Sequence, residues 1–566
     1  MKFDVVFVTY NSTKWLQQNM NSILKSDYNL KNISLYYVDN NSKDETVNIL
    51  KEYEKKYSKK FNEIKIIESK TNLGFGRGNN KGALLGKSDY IFFLNIDTEI
   101  EPDTFKKLEK EIKENKEKIG IWELRQKPYE HPKYYDPVTG YTTWSSGACF
   151  VMPREVFNKT KGFDKHLFMY CEDVELSWHT RQLGYKIKYL YDISITHYSY
   201  AEPNQFKENQ FIFAYVNNLY LRAKYGNLKK YLKGHLLCLK SLRYNLAYTH
   251  VSNKQYKPIR KRIAKEYFKV IFKSIPARIF KHTHNNKKFN PQFINDLDYE
   301  ITRLGSFYTI DETLKSNSLV SIIVRTCGRP NYLREALISL RNQSYKNIEI
   351  VIIEDGKNIS EQMIKKEFSD LNIKYKATGK KLERSVCGNI GLKMATGKYL
   401  NFLDDDDVFY PEHVEVLLKE MEKNNADIVY STGLETATNI ISKDPYIYDI
   451  KTKIVRHFGK FSRLRLYENN ITPIQCVMFK KEVFENCGGL DENITALEDW
   501  DLWIRFSLKY NFHYIEKTTS VYRVPFNNEI SSERQKFLNS ALDYVISKYD
   551  NNKISVNLAD IFWKNK

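Results

Sequence analysis

The 566-residue sequence predicts an α/β protein made of two similar parallel-sheet domains joined by a basic helical segment. Three observations predict it. An ordered set of acidic motifs occurs twice, short β-branched and aromatic runs precede helix-like segments in both copies, and most of the +20 net charge lies between the copies. The first copy reads Thr9-Tyr10-Asn11, Asp39, Asn80-x-Gly82, Asn95-Ile-Asp97 and Glu172-Asp173. The second reads Thr326, Asp355, Asn389-x-Gly391, Asp404-Asp405-Asp406-Asp407 and Glu498-Asp499. Asn80 to Pro102 aligns without a gap on Asn389 to Pro411, which sets Phe93-Leu94-Asn95-Ile96-Asp97 beside Phe402-Leu403-Asp404-Asp405-Asp406. Glu155-Val156-Phe157 with Gly162-Phe163-Asp164 matches Glu482-Val483-Phe484 with Gly489-Leu490-Asp491 at one spacing. A repeat of this length suits a whole domain, not a solenoid unit.

The first predicted element is the strand Phe3 to Val8, followed by a helix over Leu16 to Leu24 and a strand over Ser34 to Val38. Leu319 to Val324, Tyr332 to Leu340 and Ile348 to Ile353 repeat that order. Each start reads as a βαβ unit of a buried parallel sheet. Ligands of such sheets bind at the carboxyl ends of the strands. Thr9, Asp39, Asp97 and their counterparts fall there, so the pattern predicts one pocket per repeat. The predicted domains are 1–205 and 318–530, with a connector over 206–317 and a helical tail over 531–566.

Composition fits this plan: 42% hydrophobic and 28% charged residues are enough for two cores and a connector. No run of about 18 apolar residues occurs, and the chain enters a strand at Phe3 without a cationic leader, which points to the cytosol. Seven cysteines with no Cys-x-x-Cys suit a reduced compartment and offer no structural zinc pattern. Cys149 and Cys476 occupy matching positions and read as small buried hydrophobes.

Residues 221–290 hold 19 Lys/Arg against one acid, Glu266. Leu228, Tyr231, Leu232, His235, Leu236, Leu239 and Leu242 follow helical spacing, and a second helix is predicted from about Pro258 to Ile275. Such helices either lie in an anionic membrane interface or form a connector whose apolar side packs on both domains. No helix-turn-helix or RNA-binding aromatic signature accompanies the charge, so nucleic acid is not an expected partner.

The motifs divide by chemistry. Asp39 and Asp355 end second strands, where a carboxylate accepts hydrogen bonds from a nucleobase or ribose; Asp39, in Val-Asp-Asn-Asn-Ser, equally suits a turn. Asp404-x-Asp406 offers hard oxygen ligands for Mg²⁺ or Mn²⁺ bridging a nucleotide diphosphate. Four consecutive aspartates repel one another strongly without a cation. Repeat 1 keeps Asp97 but has Asn95 in the first position, which predicts a weaker metal site. Glu172-Asp173 and Glu498-Asp499 precede amphipathic segments, where they are either helix-dipole partners or carry a general base for an acceptor hydroxyl.

Both repeats resemble family-2 glycosyltransferases with the GT-A fold, inverting enzymes that use nucleotide-sugar donors. The resemblance covers about 1–200 and 318–525. In repeat 2 it rests on Ser321-Ile-Ile-Val-Arg-Thr326, Ile353-Glu-Asp355-Gly, Arg384 with Asn389-x-Gly391, Leu403-Asp-Asp-Asp-Asp407 and Leu497-Glu-Asp499-Trp. It implies that Asp355 binds the base, that Asp404 and Asp406 lie at the diphosphate and metal, and that Asp499 deprotonates the acceptor. Tyr522-Arg523 matches a downstream element near the diphosphate, without the histidine that usually follows. Repeat 1 is similar to the rhamnosyltransferase and galactofuranosyltransferase branch through Asn72-Leu-Gly-Phe-Gly76-x-Gly78-x-Asn80, Leu94-Asn-Ile-Asp97, Ser146-Gly147-Ala148, Tyr170-x-Glu-Asp173 and Thr196-His197. There the resemblance implies Asp97 and His197 as metal ligands and Asp173 as the base; outside the motif, His197 would read as an ordinary histidine. The donor contacts that go with the resemblance are Thr9, Asp39, Arg77 and Asn95 in repeat 1, and Thr326, Asp355, Arg384, Asp404 and Arg523 in repeat 2.

The implied activity is bifunctional, metal-dependent transfer of hexosyl or deoxyhexosyl groups. The expected donors are UDP-, dTDP- or GDP-sugars, and the expected acceptor is a lipid-linked or free bacterial surface glycan (O-antigen, capsule or cell-wall polysaccharide). Processive synthases of the family carry Gln-x-x-Arg-Trp and membrane helices, neither of which occurs here, so a cytoplasmic enzyme peripheral to the inner face of the membrane is expected. Two rivals stand beside this reading. One is a single-activity transferase with a degenerate carbohydrate-binding first domain, motivated by Asn95. The other is a nucleotidyltransferase, which also uses strand-end acids but needs a Gly-rich phosphate loop after the first strand, and neither copy has one.

Overall fold

A computed structural model describes residues 1–200, 202–203, 205–279, 303–305, 307–309 and 316–549. The connector's 280–302 and 310–315, which include the end of the basic run, and the tail beyond 549 lie outside the described residues. The described residues form two compact units. The first carries β1 (Phe3–Thr9), α1 (Thr13–Leu24), β2 (Ile33–Asp39), α2 (Thr46–Tyr57), β3 (Glu63–Glu68) and α3 (Phe75–Ala83). β4 (Tyr90–Leu94), β5 (Thr98–Ile100), α4 (Thr104–Glu114), β6 (Ile119–Lys127), β7 (Tyr141–Thr142) and β8 (Cys149–Pro153) follow. The unit continues through α5 (Arg154–Thr160), α6 (Glu172–Gln182) and β9 (Lys186–His197) to three helices, α7 (Glu208–Tyr225), α8 (Leu228–Arg243) and α9 (Asn253–Ile279).

The second unit repeats the plan with β10 (Val320–Thr326), α10 (Pro330–Arg341), β11 (Ile348–Glu354), α11 (Glu361–Glu367), β12 (Ile373–Ala377) and α12 (Arg384–Met394). Next come β13 (Tyr399–Asp404), β14 (Val408–Phe409), α13 (His413–Lys423), β15 (Ile428–Lys443), β16 (Tyr446–Arg456) and α14 (Arg463–Glu468). It ends with β17 (Val477–Lys480), α15 (Lys481–Cys487), α16 (Glu498–Ser507), β18 (Phe512–Pro525) and α17 (Asn528–Ser547).

The two sheets have one topology. The first runs β3-β2-β1-β4-β8-β6-β9-β5 and the second β12-β11-β10-β13-β17-β15-β18-β14, the same order nine strands later. They differ in one added strand, since β7 pairs with β9 whereas β16 forms a long hairpin with β15. The first four strands of each order are parallel, as the βαβ pattern predicts, and the inner three are mostly apolar and buried, whereas in the edge strands β3 and β12 apolar residues alternate with charged ones. Beyond them the pairing turns antiparallel at β8 and β17, so each sheet is mixed and not purely parallel.

Two motifs owe their repetition to packing. Asn80 donates to the carbonyl of Phe163 and accepts from its N–H, both at 2.8 Å. Asn389 makes the same pair of bonds with Leu490, at 2.9 and 2.8 Å. Each asparagine thus clamps the Gly-x-Asp turn that leads to the Glu-Asp pair. The glycine two residues on lets its helix approach the first strand: a Cβ on Gly82 would stand 2.5 Å from Val6, and one on Gly391 2.4 Å from Ile323.

The basic segment folds onto the first unit. Helix α7 is buried along Ile212, Val216, Leu219 and Tyr220, and α8 and α9 pack against it. Helix α9 is longer than the sequence predicts and runs through both Pro258 and Pro276. Its last turn is tied down by Arg278, which donates to the Gly226 carbonyl at 2.6 Å, so the backbone hydrogen bond lost at Pro276 does not end the helix. Of the seven residues that the sequence places along α8 at helical spacing, Tyr231 and Leu242 pack against the helical core, whereas Leu228, Leu232, Leu236 and Leu239 are exposed. Gly234, Leu237, Cys238 and Ser241 are the buried positions.

Candidate active sites

In the first unit, Thr9 and Asp39 end the adjacent parallel strands β1 and β2, and Thr9 Oγ1 donates to Asp39 at 3.1 Å. Asp39 also accepts from the N–H and hydroxyl of Ser42. It therefore shapes its own turn at the strand end, as the turn reading expects, while Oδ2, which accepts one bond to the two of Oδ1, keeps a further lone pair. Arg77 is exposed at the start of α3, its Nε donating to the Leu73 carbonyl at 2.7 Å. Asn95 follows β4, its N–H donating to the Ala148 carbonyl.

Asp97 and His197, 100 residues apart, are brought together because β5 pairs with β9 and sets Thr98 opposite His197. His197 Nε2 stands 3.5 Å from Asp97 Oδ1. On its other side the ring meets Gln126 Oε1 at 2.7 Å, and Gln126 comes from the neighbouring strand β6. An amide oxygen only accepts, so Nδ1 carries the proton and Nε2 presents its lone pair to the carboxylate. Two acceptors facing at that distance need a cation between them, either a proton on Nε2 or a metal ion. Burial works against the Asp97 charge, yet the His197 hydrogen bond and charge, helped by Lys207, hold its carboxyl below the usual range.

Glu172 and Asp173 open α6 after two residues in left-handed conformation, Tyr170 (φ 64°) and Cys171 (φ 68°). Non-glycine residues tolerate that conformation at a cost of about 1–3 kcal/mol each, and such strain collects at functional sites. Asp173 accepts from the N–H of Gly147 and of Val174, each at 2.8 Å. Burial pushes both carboxyls up, Glu172 to about 8 with help from the Asp173 charge. One oxygen of Glu172 is buried without a hydrogen-bond partner. Burial and the Asp173 charge raise Glu172, whereas the two N–H groups that Asp173 accepts favour its charged form.

The second unit solves the same problem differently. Arg325, the last residue but one of β10, sends a bidentate pair to Asp404 at 2.7 and 2.8 Å and a third bond to Glu498 at 3.0 Å, with only 6% of its side chain exposed. Thr326 does not meet Asp355 as Thr9 meets Asp39; its hydroxyl donates to Asp405 at 2.7 Å. Arg329 pairs with Asp405 and lies 3.2 Å from Asp406. Burial works against the charge of Asp404, but Arg325 holds it below the usual carboxylate range. Asp405 is pushed up to about 7 by burial and the Asp406 charge, and burial pushes Asp407 up as well. The run of four aspartates therefore does not carry four charges at pH 7.

Asp355 accepts from the N–H of Leu382 at 2.6 Å and of Glu383 at 3.1 Å, which fixes the loop ahead of Arg384 at the head of α12. Asp499 accepts from Asn470 Nδ2 at 2.9 Å and from the N–H of Trp500 at 2.8 Å. Burial, then the neighbouring Glu498 charge, pushes it up to about 6. Leu497, just before the pair, repeats the left-handed turn at φ 64°. Arg325, Arg384, Asp355, Asp404, Asp406 and Asp499 line one cleft of about 600 Å³. Arg523 lines it too, but its guanidinium is tied to Glu335 at 2.7 Å and to the Tyr448 hydroxyl at 2.9 Å. Arg534 and Leu538 bring α17 to the cleft, although the sequence reads that helix as a tail.

A divalent ion fits the two units unequally. In the first, Asp97 and His197 converge with no guanidinium between them. In the second, both oxygens of Asp404 face Arg325 and Asp406 lies 3.2 Å from Arg329, so both aspartates of the motif have a guanidinium beside them at the cleft. Among the described residues, no three or more His, Cys, Asp or Glu side chains gather to hold a metal ion. No described helix is long and apolar enough to cross a membrane.

Sequence reasoning passed over Arg325, Arg329, Gln126 and Asn470. Arg325 had a signal, because an arginine inside an otherwise apolar parallel strand must be paired. Gln126 and Asn470 had none, since each acts only through the residue it orients.

The family model "Glycosyl transferase family 2" matches residues 4–175 and 321–488, more than half of the chain. An uncharacterized glycosyltransferase of Rickettsia prowazekii is 31% identical over 200 residues, 33% of this chain and 58% of that protein. One from Methanocaldococcus jannaschii is 29% identical over 229 residues, 38% of this chain and 75% of that protein. The chain thus spans less than two thirds of the rickettsial relative's length and three quarters of the archaeal one's. Among solved structures, residues 1–349 of S. aureus TarS match at 17% identity with a TM-score of 0.33, covering 52% of this chain and 95% of that one.

Proposed function

The chain belongs to glycosyl transferase family 2, and from that premise we propose that each unit transfers one sugar, with inversion, from a nucleotide-sugar donor to a growing bacterial surface glycan. The observation that carries this reading is the pair of buried carboxylates, Asp173 and Asp499, held at helix starts after left-handed turns and raised by burial. A carboxylate raised in this way is a stronger base at pH 7 than an ordinary aspartate. Its role is to take the proton from an acceptor hydroxyl as that oxygen attacks the anomeric carbon and the nucleoside diphosphate leaves. Asp39 and Asp355 supply acceptors for the nucleoside, and Arg384 and Arg329 supply positive charge for the diphosphate in the second unit.

A divalent ion, when bound at Asp97 and His197, would neutralise the leaving diphosphate in the first unit. In the second unit Asp406 is the aspartate for an ion, with Arg325 holding Asp404 in place. Chelation with EDTA is therefore expected to abolish transfer by the first unit and to reduce transfer by the second less than about tenfold. Assays of single-site variants with Mn²⁺ added back check the difference. Equal loss in both units would refute the unequal fit.

Transfer by the second unit is expected to depend on pH through Asp499. The base must be ionised to accept a proton, and its pKa is about 6, so activity falls as pH drops through about 6 and reaches a plateau above it. A kcat profile for a variant lacking the first site measures this limb; a limb near pH 4 would remove Asp499 from the role.

Donor turnover tests the function as a whole. The intact chain, given UDP-, GDP- and dTDP-sugars, is expected to release nucleoside diphosphate, whereas pyrophosphate release from a nucleoside triphosphate would establish a nucleotidyltransferase instead.

A further inference from the structure

Helices α8 and α9 each carry a row of large apolar side chains on the side away from the protein. Inward, Gly234 lies against Leu219 and Arg222 of α7, and Cys238 Sγ approaches the Tyr215 carbonyl at 3.7 Å. Outward, Leu228, Leu232, Leu236 and Leu239 are all at least half exposed. At 100° per residue, these four leucines occupy about a quarter of the helix circumference. Helix α9 follows the same rule: Tyr256, Ile259, Ile263 and Val270 face inward, whereas Phe268, Phe272, Ile275 and Ile279 are exposed at helical spacing. Phe272 is 76% exposed.

The two helices lie side by side and antiparallel. Tyr231 meets Ser274 at 2.8 Å, His235 meets Tyr267 at 2.8 Å, and Tyr256 donates to the Ser241 carbonyl at 2.9 Å. Both rest on α7, and both exposed stripes point away from it, so leucines and phenylalanines share one outer face. Lys229, Lys233 and Lys240 border it along α8, and Lys257, Lys261 and Lys265 continue the α9 stripe toward the N-terminus of that helix. The one acid in these helices, Glu266, is paired with Lys269.

We propose that this face of the α8–α9 pair docks on the surface of an anionic lipid bilayer. The apolar stripes enter the headgroup region and the flanking lysines reach lipid phosphates, which is the arrangement of an interfacial amphipathic helix. Charge argues for lipid over a second copy of the chain, because two such faces would bring like-charged lysine rims together. Nucleic acid would meet the lysines but leave the leucines and phenylalanines against phosphate.

The position of this face also bears on the first active site. Asn217 of α7 donates to the carbonyls of Met169 and Tyr170, and Lys224 pairs with Asp164 and Glu175. One helix thus joins the lipid-facing pair to the turn that carries Asp173, which suits an acceptor presented at the bilayer surface. That last clause rests on the glycosyl-transfer reading; the docking does not.

The test is co-sedimentation of the full chain with vesicles of phosphatidylglycerol and phosphatidylcholine, or of phosphatidylcholine alone, at low and high salt. Binding to the anionic vesicles is expected to be at least about tenfold tighter and to weaken with salt. Replacing Leu232, Leu236, Phe268 and Phe272 together by serine is expected to lower it at least about tenfold, with melting temperature and transfer to a water-soluble acceptor unchanged. A second variant, Lys229→Gln with Lys233→Gln, Lys261→Gln and Lys265→Gln, is expected to abolish the preference for anionic lipid. The proposal is overturned by absence of binding at low salt, by unchanged binding of the serine variant, or by a wild-type dimer in sedimentation velocity that the serine variant disperses. The last outcome would assign the face to a second copy. A vesicle-binding failure leaves donor turnover untouched, so the two readings fail separately.

Discussion

Asparagine in place of Asp499 is expected to cut sugar transfer by the second unit about 100- to 10,000-fold, the usual cost of losing a general base. The substitution keeps size and polarity. The new side chain still accepts from the Trp500 N–H through its oxygen, and Asn470 can turn its amide to present its own oxygen to the new NH₂ group. The fold should therefore survive, and the loss should appear in kcat. Asp173→Asn is less neutral, because Asp173 accepts two backbone N–H groups with its two oxygens. An amide can serve one of them, which costs about 1–3 kcal/mol in addition to the lost base. Each variant should end the glycan at a different sugar, and mixing the two should restore the full product if intermediates exchange between molecules. Wild-type product from Asp173→Asn would make the first unit a binding module and the protein a single-activity transferase.

Arg325→Val is expected to destabilise the second unit by about 3–5 kcal/mol, because it strands Asp404 and Glu498 without their shared counter-charge. The first unit indicates the remedy. At the matching positions it has Val8 and Asn95, a neutral pair. Adding Asp404→Asn to Arg325→Val should therefore recover part of the loss, and the double-mutant cycle should give a coupling energy well above the scatter expected of independent sites. The measurement is the unfolding transition of the second unit, followed by hydrogen exchange so that the two units are separated. Additive effects would mean that the two carboxylates do not depend on Arg325.

Much of this was legible in the sequence. The strand runs at Phe3, Ser34, Leu319 and Ile348 and the helices after them appear within a few residues of their expected limits, because an apolar run between turns has few other ways to be buried. The strand-end positions of Asp39, Asp97, Asp355 and Asp404 followed from that. What stayed hidden depends on three-dimensional partners. The inward side of α8 was not legible, because the close approach to α7 selects the small residues Gly234, Cys238 and Ser241, which carry no hydrophobic periodicity. The charge state of the four aspartates could not be read from spacing, since it depends on burial and on Arg325 and Arg329 from another strand and loop.

The identical strand order of the two sheets has a consequence for how the chain assembles. A polypeptide that carries two copies of one topology can, while folding, insert a strand into the wrong copy, a characteristic failure of repeated domains. The central strands β1 and β10 are the elements most exposed to that error, since each sits between the same two neighbours. Their difference at Val8 and Arg325 discriminates between the two places. In the first sheet β10 would meet Asn95 where Asp404 should stand, and its arginine would lose the bidentate half of its charge compensation. In the second sheet β1 would offer a valine to Asp404 and Glu498 and remove the closest cation of both. The ion pair thus makes each central strand fit its own sheet better than the other.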